Sequence, residues 1–204
     1  MTKKLSTKMQ IIQIAGEHFS RYGYEATHLE KIAKECGISK PAIYYHFKDK
    51  AALYEAVLFK GFSELASEIE EKTGQDDPKA QLAAYIRTFG DYLIATPSFS
   101  AIFSREIAND AKSLPESCIA ELSQTLKILL KILKKGENEG VFQCENPFMI
   151  QMMIVTTLSA YLTTASLRQK VSQMIDSADA KKLDPHIDDI IENLTQKILK
   201  GLKC

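Results

Sequence analysis

The sequence predicts an all-α protein in two parts, an N-terminal three-helix head built round a helix-turn-helix and a larger helical domain behind it. Three observations predict this class. Helix-starting and helix-ending residues alternate at short intervals between residues 6 and 50. Beyond them apolar residues recur at steps of three and four, and no strand-like alternation stands out. The breaks in that pattern carry prolines, at Pro78, Pro97, Pro115, Pro147 and Pro185.

The first helix runs from about Ser6 to Tyr22, with Met9, Ile12, Ala15, Phe19 and Tyr22 on one side, and Gly23 stops it. Lys3, Lys4 and Lys8 precede or flank its start. Thr27 stands three residues before Glu30, the spacing of a reciprocal cap, so a second helix is expected to open there. Gly37 is suited to the left-handed conformation that closes it. Ser39 offers the next cap, with Pro41 in the first turn where its missing N–H costs least, and a third helix runs from Lys40 to about Phe47. Met9, Ile12, Phe19, Leu29, Ile32, Ile38, Ile43 and Phe47 would form the core of this small head. So small a core is marginal and gains from leaning on something larger.

Asp49 then caps a long helix, to about Lys72, with Leu53, Val57, Leu58, Leu65 and Ile69 along one stripe. A helix of some twenty residues spans about 30 Å. After a loop at Thr73 to Pro78, helices are expected over Lys79 to Ala95, about Ser98 to Asp110, and from Pro115 to Glu139-Gly140. Two more start near Pro147 and Pro185, with a loop near Gln173 to Leu183 between them. The chain is thus read as residues 1–48, a head; 49–72, a connecting helix; and 73–204, a larger all-helical domain.

The length of 204 residues, 45% hydrophobic and 25% charged, is ordinary for a globular protein. Net charge is zero but unevenly placed: residues 1–60 hold ten Lys and Arg against six Asp and Glu. The basic excess coincides with the helix-turn-helix, where attraction to phosphate needs it. Cys36, Cys118, Cys144 and Cys204 are scattered, with no C-x-x-C, and read as free thiols of a reducing compartment. The basic N-terminus leads into an amphipathic segment rather than a signal h-region, so a cytoplasmic location is expected.

Between Glu145 and Arg168 no residue is charged, a run long enough to cross a membrane. Its many Thr, Ser, Asn and Gln residues argue instead for a helix enclosed by protein on most sides, part of the cover coming from a second copy. In the last segment Ile187, Ile190, Ile191, Leu194, Ile198 and Leu202 form one apolar face. That face suits an intermolecular four-helix bundle in a twofold homodimer, the alternative being that it packs on its own domain.

On the third helix Ile43 and Phe47 mark the inner side. Tyr44, Tyr45 and His46 are too many aromatics for so short a helix to bury, and Lys40, Lys48 and Lys50 bracket them. Aromatic hydroxyls among cations suit phosphate contact and groove insertion; the alternative is that these rings fold over the edge of the core. No G-x-S-x-G, Walker A, G-x-G-x-x-G or H-E-x-x-H occurs, and His18, His28, His46 and His186 are dispersed. No catalytic residue, metal ligand or cofactor is therefore assigned, and an enzyme is not expected.

The run Thr27 to Leu53, THLEKIAKECGISKPAIYYHFKDKAAL, resembles the DNA-binding domain of the TetR family of bacterial transcriptional regulators. The resemblance covers about a quarter of the chain, and its order of Thr, Ile-Ala, Gly, Ser, Tyr-Tyr-His-Phe and Lys is specific. It implies that Thr27 and the helix start behind it hold a phosphate, and that Lys50 neutralises another. It implies too that Ser39, Lys40, Pro41, Ala42, Tyr44, Tyr45 and His46 face the groove of a double-stranded operator. Lys40 would read guanine and Ala42 a thymine methyl.

Family members commonly bind a small molecule in the larger domain. An apolar or amphipathic effector is expected here, with Tyr85, Phe89, Tyr92, Phe99, Phe103, Met149, Met152, Met153 and Tyr161 as candidate lining and ordinary core as the alternative for each. The resulting expectation is a dimeric repressor released from a palindromic operator by its ligand, with Ile187, Ile190, Ile191, Leu194 and Ile198 at the dimer interface. The alternatives are an activator or nucleoid-associated factor without a ligand, or a helical enzyme or lipid-ligand carrier.

Overall fold

The computed structural model describes residues 6–175 and 183–203, and among them every regular element is a helix. The expected loop at Gln173 to Leu183 lies mostly outside the described residues, as do Lys3, Lys4 and Cys204. In chain order the helices are α1 Thr7–Ala26, α2 Leu29–Glu35, α3 Lys40–His46, α4 Lys50–Lys72 and α5 Pro78–Ala95. There follow α6 Pro97–Ala108, α7 Glu116–Asn138, α8 Pro147–Thr163, α9 Ala165–Gln173 and α10 Ile187–Gly201.

Contacts divide the chain into two compact units. Unit 1 holds the residues up to Glu64 and Pro97–Glu121; unit 2 holds Leu65–Thr96 and the residues from Leu122 onward. This differs from the expected division at residues 48 and 72, because α6 packs on α1 and so joins the head. Arg105 of α6 donates to the carbonyls of Phe19 and Ser20 on α1, at 3.0 and 3.2 Å. Tyr54 of α4 donates to the buried Glu106 at 2.5 Å. Desolvation, and next the bond to Glu106, push the Tyr54 hydroxyl's pKa up. The small core of α1–α3 thus gains the support it needs from α4 and α6, where Phe62 meets Phe99 and Phe103 edge-on at 5.0 and 5.1 Å.

In unit 1, α1 leaves helical geometry at Gly23, whose φ of +79° an L side chain would resist. Thr27 does not open α2. It is the C-cap of α1, 1% exposed, and its hydroxyl donates back to Gly23 O at 2.7 Å, while His28 is the N-cap of α2. Facing orphan carbonyls behind it and orphan N–H groups ahead, the threonine turns to the carbonyls. Asp49 caps α4 through a bond from Ala52 N at 2.8 Å.

In unit 2, Asp77 accepts from Ala80 N at 2.9 Å and Pro78 sits in the first turn, so α5 starts where the proline pattern puts it. Asn146 caps α8 in the same way, accepting from Phe148 N at 2.9 Å. The uncharged run does not continue as one enclosed helix. It breaks at Thr164, α9 leaves at 70° to α8, and α8 is covered on one side only. No single described helix is long and apolar enough to cross a membrane. α10 packs on α5 and α8 through Ile191, Leu194, Ile198 and Leu202, all buried. Each such side chain contributes about 1.5–3 kcal/mol. The approach depends on Gly90, where a Cβ would stand 2.5 Å from Ile191 Cδ1.

Candidate nucleic-acid interface

The helix-turn-helix is set by the end of α2. Gly37 takes φ +69°, Gly37 N donates to Lys34 O at 3.2 Å and Ile38 N to Ala33 O at 3.0 Å, the paired bonds of a Schellman closure. The chain turns sharply there, and Ser39 and Pro41 start α3 at once. Ile43 and Phe47 are buried, which fixes the roll of α3. Tyr45 is then 86% exposed and Tyr44 48%, while Ser39, Pro41 and Lys48 are exposed and Lys40, Ala42, His46 and Lys50 half-buried. The aromatics do not fold over the core edge; a short helix presents two tyrosine hydroxyls outward.

Two of the cations around them, Lys40 and Lys50, already have partners. Lys40 pairs with Glu30 of α2 and lies 5.9 Å from the Tyr44 ring centroid. That pairing holds the Glu30 carboxyl below its usual pKa and raises that of Lys40. Lys50 Nζ donates to the carbonyls of Tyr24, Glu25 and Thr27 at 2.9, 3.2 and 3.4 Å, over the Tyr24 ring at 4.4 Å. An ammonium at the carbonyl end of α1 satisfies groups the helix leaves open. Lys50, expected to meet a phosphate, therefore caps α1 in this structure, and Thr27, expected to do the same, is turned inward. Lys8, noted in the sequence only as flanking a helix start, lies over the Phe47 ring at 5.7 Å, beside the end of α3.

The family model described as "Bacterial regulatory proteins, tetR family" matches residues 11–57, and that described as "Tetracyclin repressor-like, C-terminal domain" matches residues 75–163. The chain belongs to the TetR family. It is 24% identical to the HTH-type transcriptional regulator RutR of Escherichia coli (strain K12), covering 96% of this chain and 90% of that one. It is 27% identical to the fatty acid metabolism regulator protein of Bacillus subtilis (strain 168), over 80% and 86% of the two chains. Among solved structures, FadR from Bacillus subtilis in complex with stearoyl-CoA shares its fold, with a TM-score of 0.75 and 21% identity over 95% of this chain and 98% of that one. The family consists of transcriptional regulators, which are not enzymes, and this TetR-family chain is a DNA-binding transcriptional regulator.

The residues expected to line an effector site are divided between the two units of this TetR-family chain. Phe99 and Phe103 belong to unit 1, packed on Phe62. Met149, Met152 and Met153 are exposed on the outer side of α8. Tyr161 lines a surface cleft of about 360 Å³ with Arg168, Asp184 and His186; its hydroxyl donates to Asp184 Oδ1 at 2.8 Å and Arg168 lies over its ring at 3.5 Å. Tyr85, Phe89 and Tyr92 remain in the interior of unit 2.

There Tyr85 donates to Gln151 Oε1 at 2.7 Å, with Thr125 O at 3.2 Å, and burial pushes its pKa up. Gln151 was missed in the sequence, although a lone amide beside Ile150 and Ile154 on a helix's inner side was there to be noticed. Ile191, Leu194 and Ile198, expected at a dimer interface, are covered by their own chain, whereas Ile187 and Ile190 are half-buried. Cys36 and Cys118 are buried free thiols and Cys144 an exposed one. No group of His, Cys, Asp and Glu among the described residues is placed to hold a metal ion.

Proposed function

We propose that the protein is a cytoplasmic homodimeric repressor that leaves a palindromic operator when unit 2 binds an apolar or amphipathic ligand. The outward tyrosines of α3, held by a buried Ile43 and Phe47 and flanked by Lys8, Lys40 and Lys48, carry the DNA-binding half of this reading. A helix so short contacts few base pairs, and two copies related by a dyad read half-sites one or more turns apart, about 34–36 Å per turn. Lys40 reads a base once phosphate or guanine replaces Glu30, and Lys50 and Lys8 serve the backbone.

Dimerisation falls to the outer side of α8, where Phe148, Met149, Met152 and Met153 are exposed, extended by Ile187 and Ile190. Ile191, Leu194 and Ile198 hold α10 to its own chain. An uncharged apolar face of this kind suits self-association through an isologous contact.

The ligand half is supported by the aromatic interior of unit 2, and by relatives that include a fatty acid metabolism regulator and a FadR bound to stearoyl-CoA. The effector is accordingly a fatty acyl derivative. It acts by binding the DNA-free state more tightly than the DNA-bound one, which is the condition for any such coupling. Footprinting on the fragment upstream of the protein's own gene tests the reading. Two protected half-sites a whole number of turns apart, weakened by acyl ligands, are expected; no binding to that fragment at low salt overturns it.

A further inference from the structure

Three buried polar atoms of unit 2, Gln81 Oε1, Gln151 Nε2 and Ser159 Oγ, have no partner among the described residues, and the last two lie on the inner side of one helix, α8. Gln151, 7% exposed, accepts from Tyr85 through Oε1, and its Nε2 has no partner. An amide carries a donor and an acceptor, and a single hydroxyl cannot serve both. Two turns further along the same buried side of α8, Ser159 is 3% exposed and its Oγ also lacks a partner. Eight residues of helix separate the two by about 12 Å. Between them Ile154, Val155 and Leu158 face inward, so the inner side of α8 is an apolar lane with an unpaired polar atom at each end. Buried polar groups in native proteins are ordinarily paired, and one that is not calls for an explanation.

Charge decides which ligand fits. The buried polar side chains of unit 2 are Thr73, Thr88, Thr125, Gln151, Ser159 and Thr195, with Tyr85 and Tyr92 beside them. No lysine, arginine or histidine is buried among its described residues. A carboxylate carried inside would lose its hydration with no cation to replace it, whereas an ester or thioester oxygen accepts one N–H and leaves no charge behind.

Resting on the effector reading above, we propose that Gln151 receives the uncharged carbonyl of an acyl ester or thioester, and that unit 2 discriminates against the free fatty acid. Tyr85 is the positioning residue: its bond to Oε1 turns the amide so that Nε2 is the end left to donate.

The test is calorimetric titration of the full-length protein with methyl decanoate and with sodium decanoate at pH 7, on wild type, Gln151→Leu and Gln151→Met. The ester is expected to bind wild type at least about tenfold more tightly than the acid, and to lose about tenfold in both variants. Infrared spectra of the ester with an isotope-labelled carbonyl give a readout that needs no variant, since a hydrogen-bonded carbonyl absorbs at lower frequency than the same ester in alkane. Decanoate binding as tightly as the ester, an ester affinity unchanged in both variants, or an unshifted carbonyl overturns the proposal and leaves the effector reading standing. Binding of neither ligand to wild type removes the acyl-effector reading and this proposal with it.

Discussion

Helices α3 and α8 each bury one side and leave large side chains uncovered on the other, yet they present different chemistry. Around the exposed Tyr44 and Tyr45 of α3 stand Lys40 and Lys48, and every exposed ring ends in a hydroxyl. Around the exposed Phe148, Met149, Met152 and Met153 of α8 no charge occurs from Asn146 to Leu167. Uncovered apolar area alone says only that something binds. The charges beside it favour one partner over another: phosphate and base edges suit the first face, another apolar face the second.

The largest effect should come from placing a charge on the face that has none. In the proposed twofold dimer Met152→Asp occurs once in each copy and would bury two carboxylates without cations. Sedimentation at micromolar concentration should find monomer, with circular dichroism unchanged. Operator affinity should fall on the order of 100-fold or more as the two heads lose their link. A variant that sediments as wild-type dimer removes α8 from the interface.

On α3 the corresponding experiment is truncation. Tyr45→Ala should cost about 1–3 kcal/mol of operator binding, roughly fivefold to a hundredfold or more in Kd, read by fluorescence anisotropy. Thermal stability should stay within about 0.5 kcal/mol, because so exposed a ring contributes almost no packing. A fall in Tm with unchanged DNA affinity would assign Tyr45 to the fold instead.

The two helices also differ in how far the sequence revealed them. For α3, Gly37, Ser39, Pro41 and the inward pair Ile43 and Phe47 are local determinants, each acting within a few residues, so both its limits and its outward face could be read. For α8 the uncharged run from 146 to 167 hides which side is covered, since Met and Thr serve either role and only the packing of α5 and α10 decides. The same limit holds for Phe99 and Phe103, expected as lining residues, whose packing on Phe62 in unit 1 no local pattern announces. Thr27 shows another kind of ambiguity. Thr-x-x-Glu is the spacing of a cap at the start of α2, yet the hydroxyl turns to the carbonyl of Gly23, a choice made by the left-handed glycine before it.

Lys50 separates folding from DNA contact within the head. Lys50→Ala removes an ammonium from three carbonyls and from the face of Tyr24, which should destabilise the protein by about 1–2 kcal/mol in chemical denaturation. If the same side chain also reaches a phosphate, the slope of log affinity against log salt falls by about 1. A lower Tm with an unaltered slope confines Lys50 to capping α1.

The smallest effect concerns the pair that ties α2 to α3. Glu30 holds the Lys40 ammonium proposed to contact the operator, so Glu30→Gln should tighten DNA binding by about two- to threefold at low salt and by less at high salt, where exposed charges are screened. Acid should mimic the substitution. The Lys40 ammonium lowers the Glu30 pKa in the folded protein, so whatever stability the pair contributes is present above the unfolded carboxyl pKa. It is lost as pH falls through the depressed folded value, where protonation of Glu30 frees Lys40. Wild type and Glu30→Gln should therefore differ in DNA affinity near neutrality and converge towards acid. Equal affinities at neutral pH would mean either that Lys40 leaves Glu30 without cost or that it makes no contact with DNA.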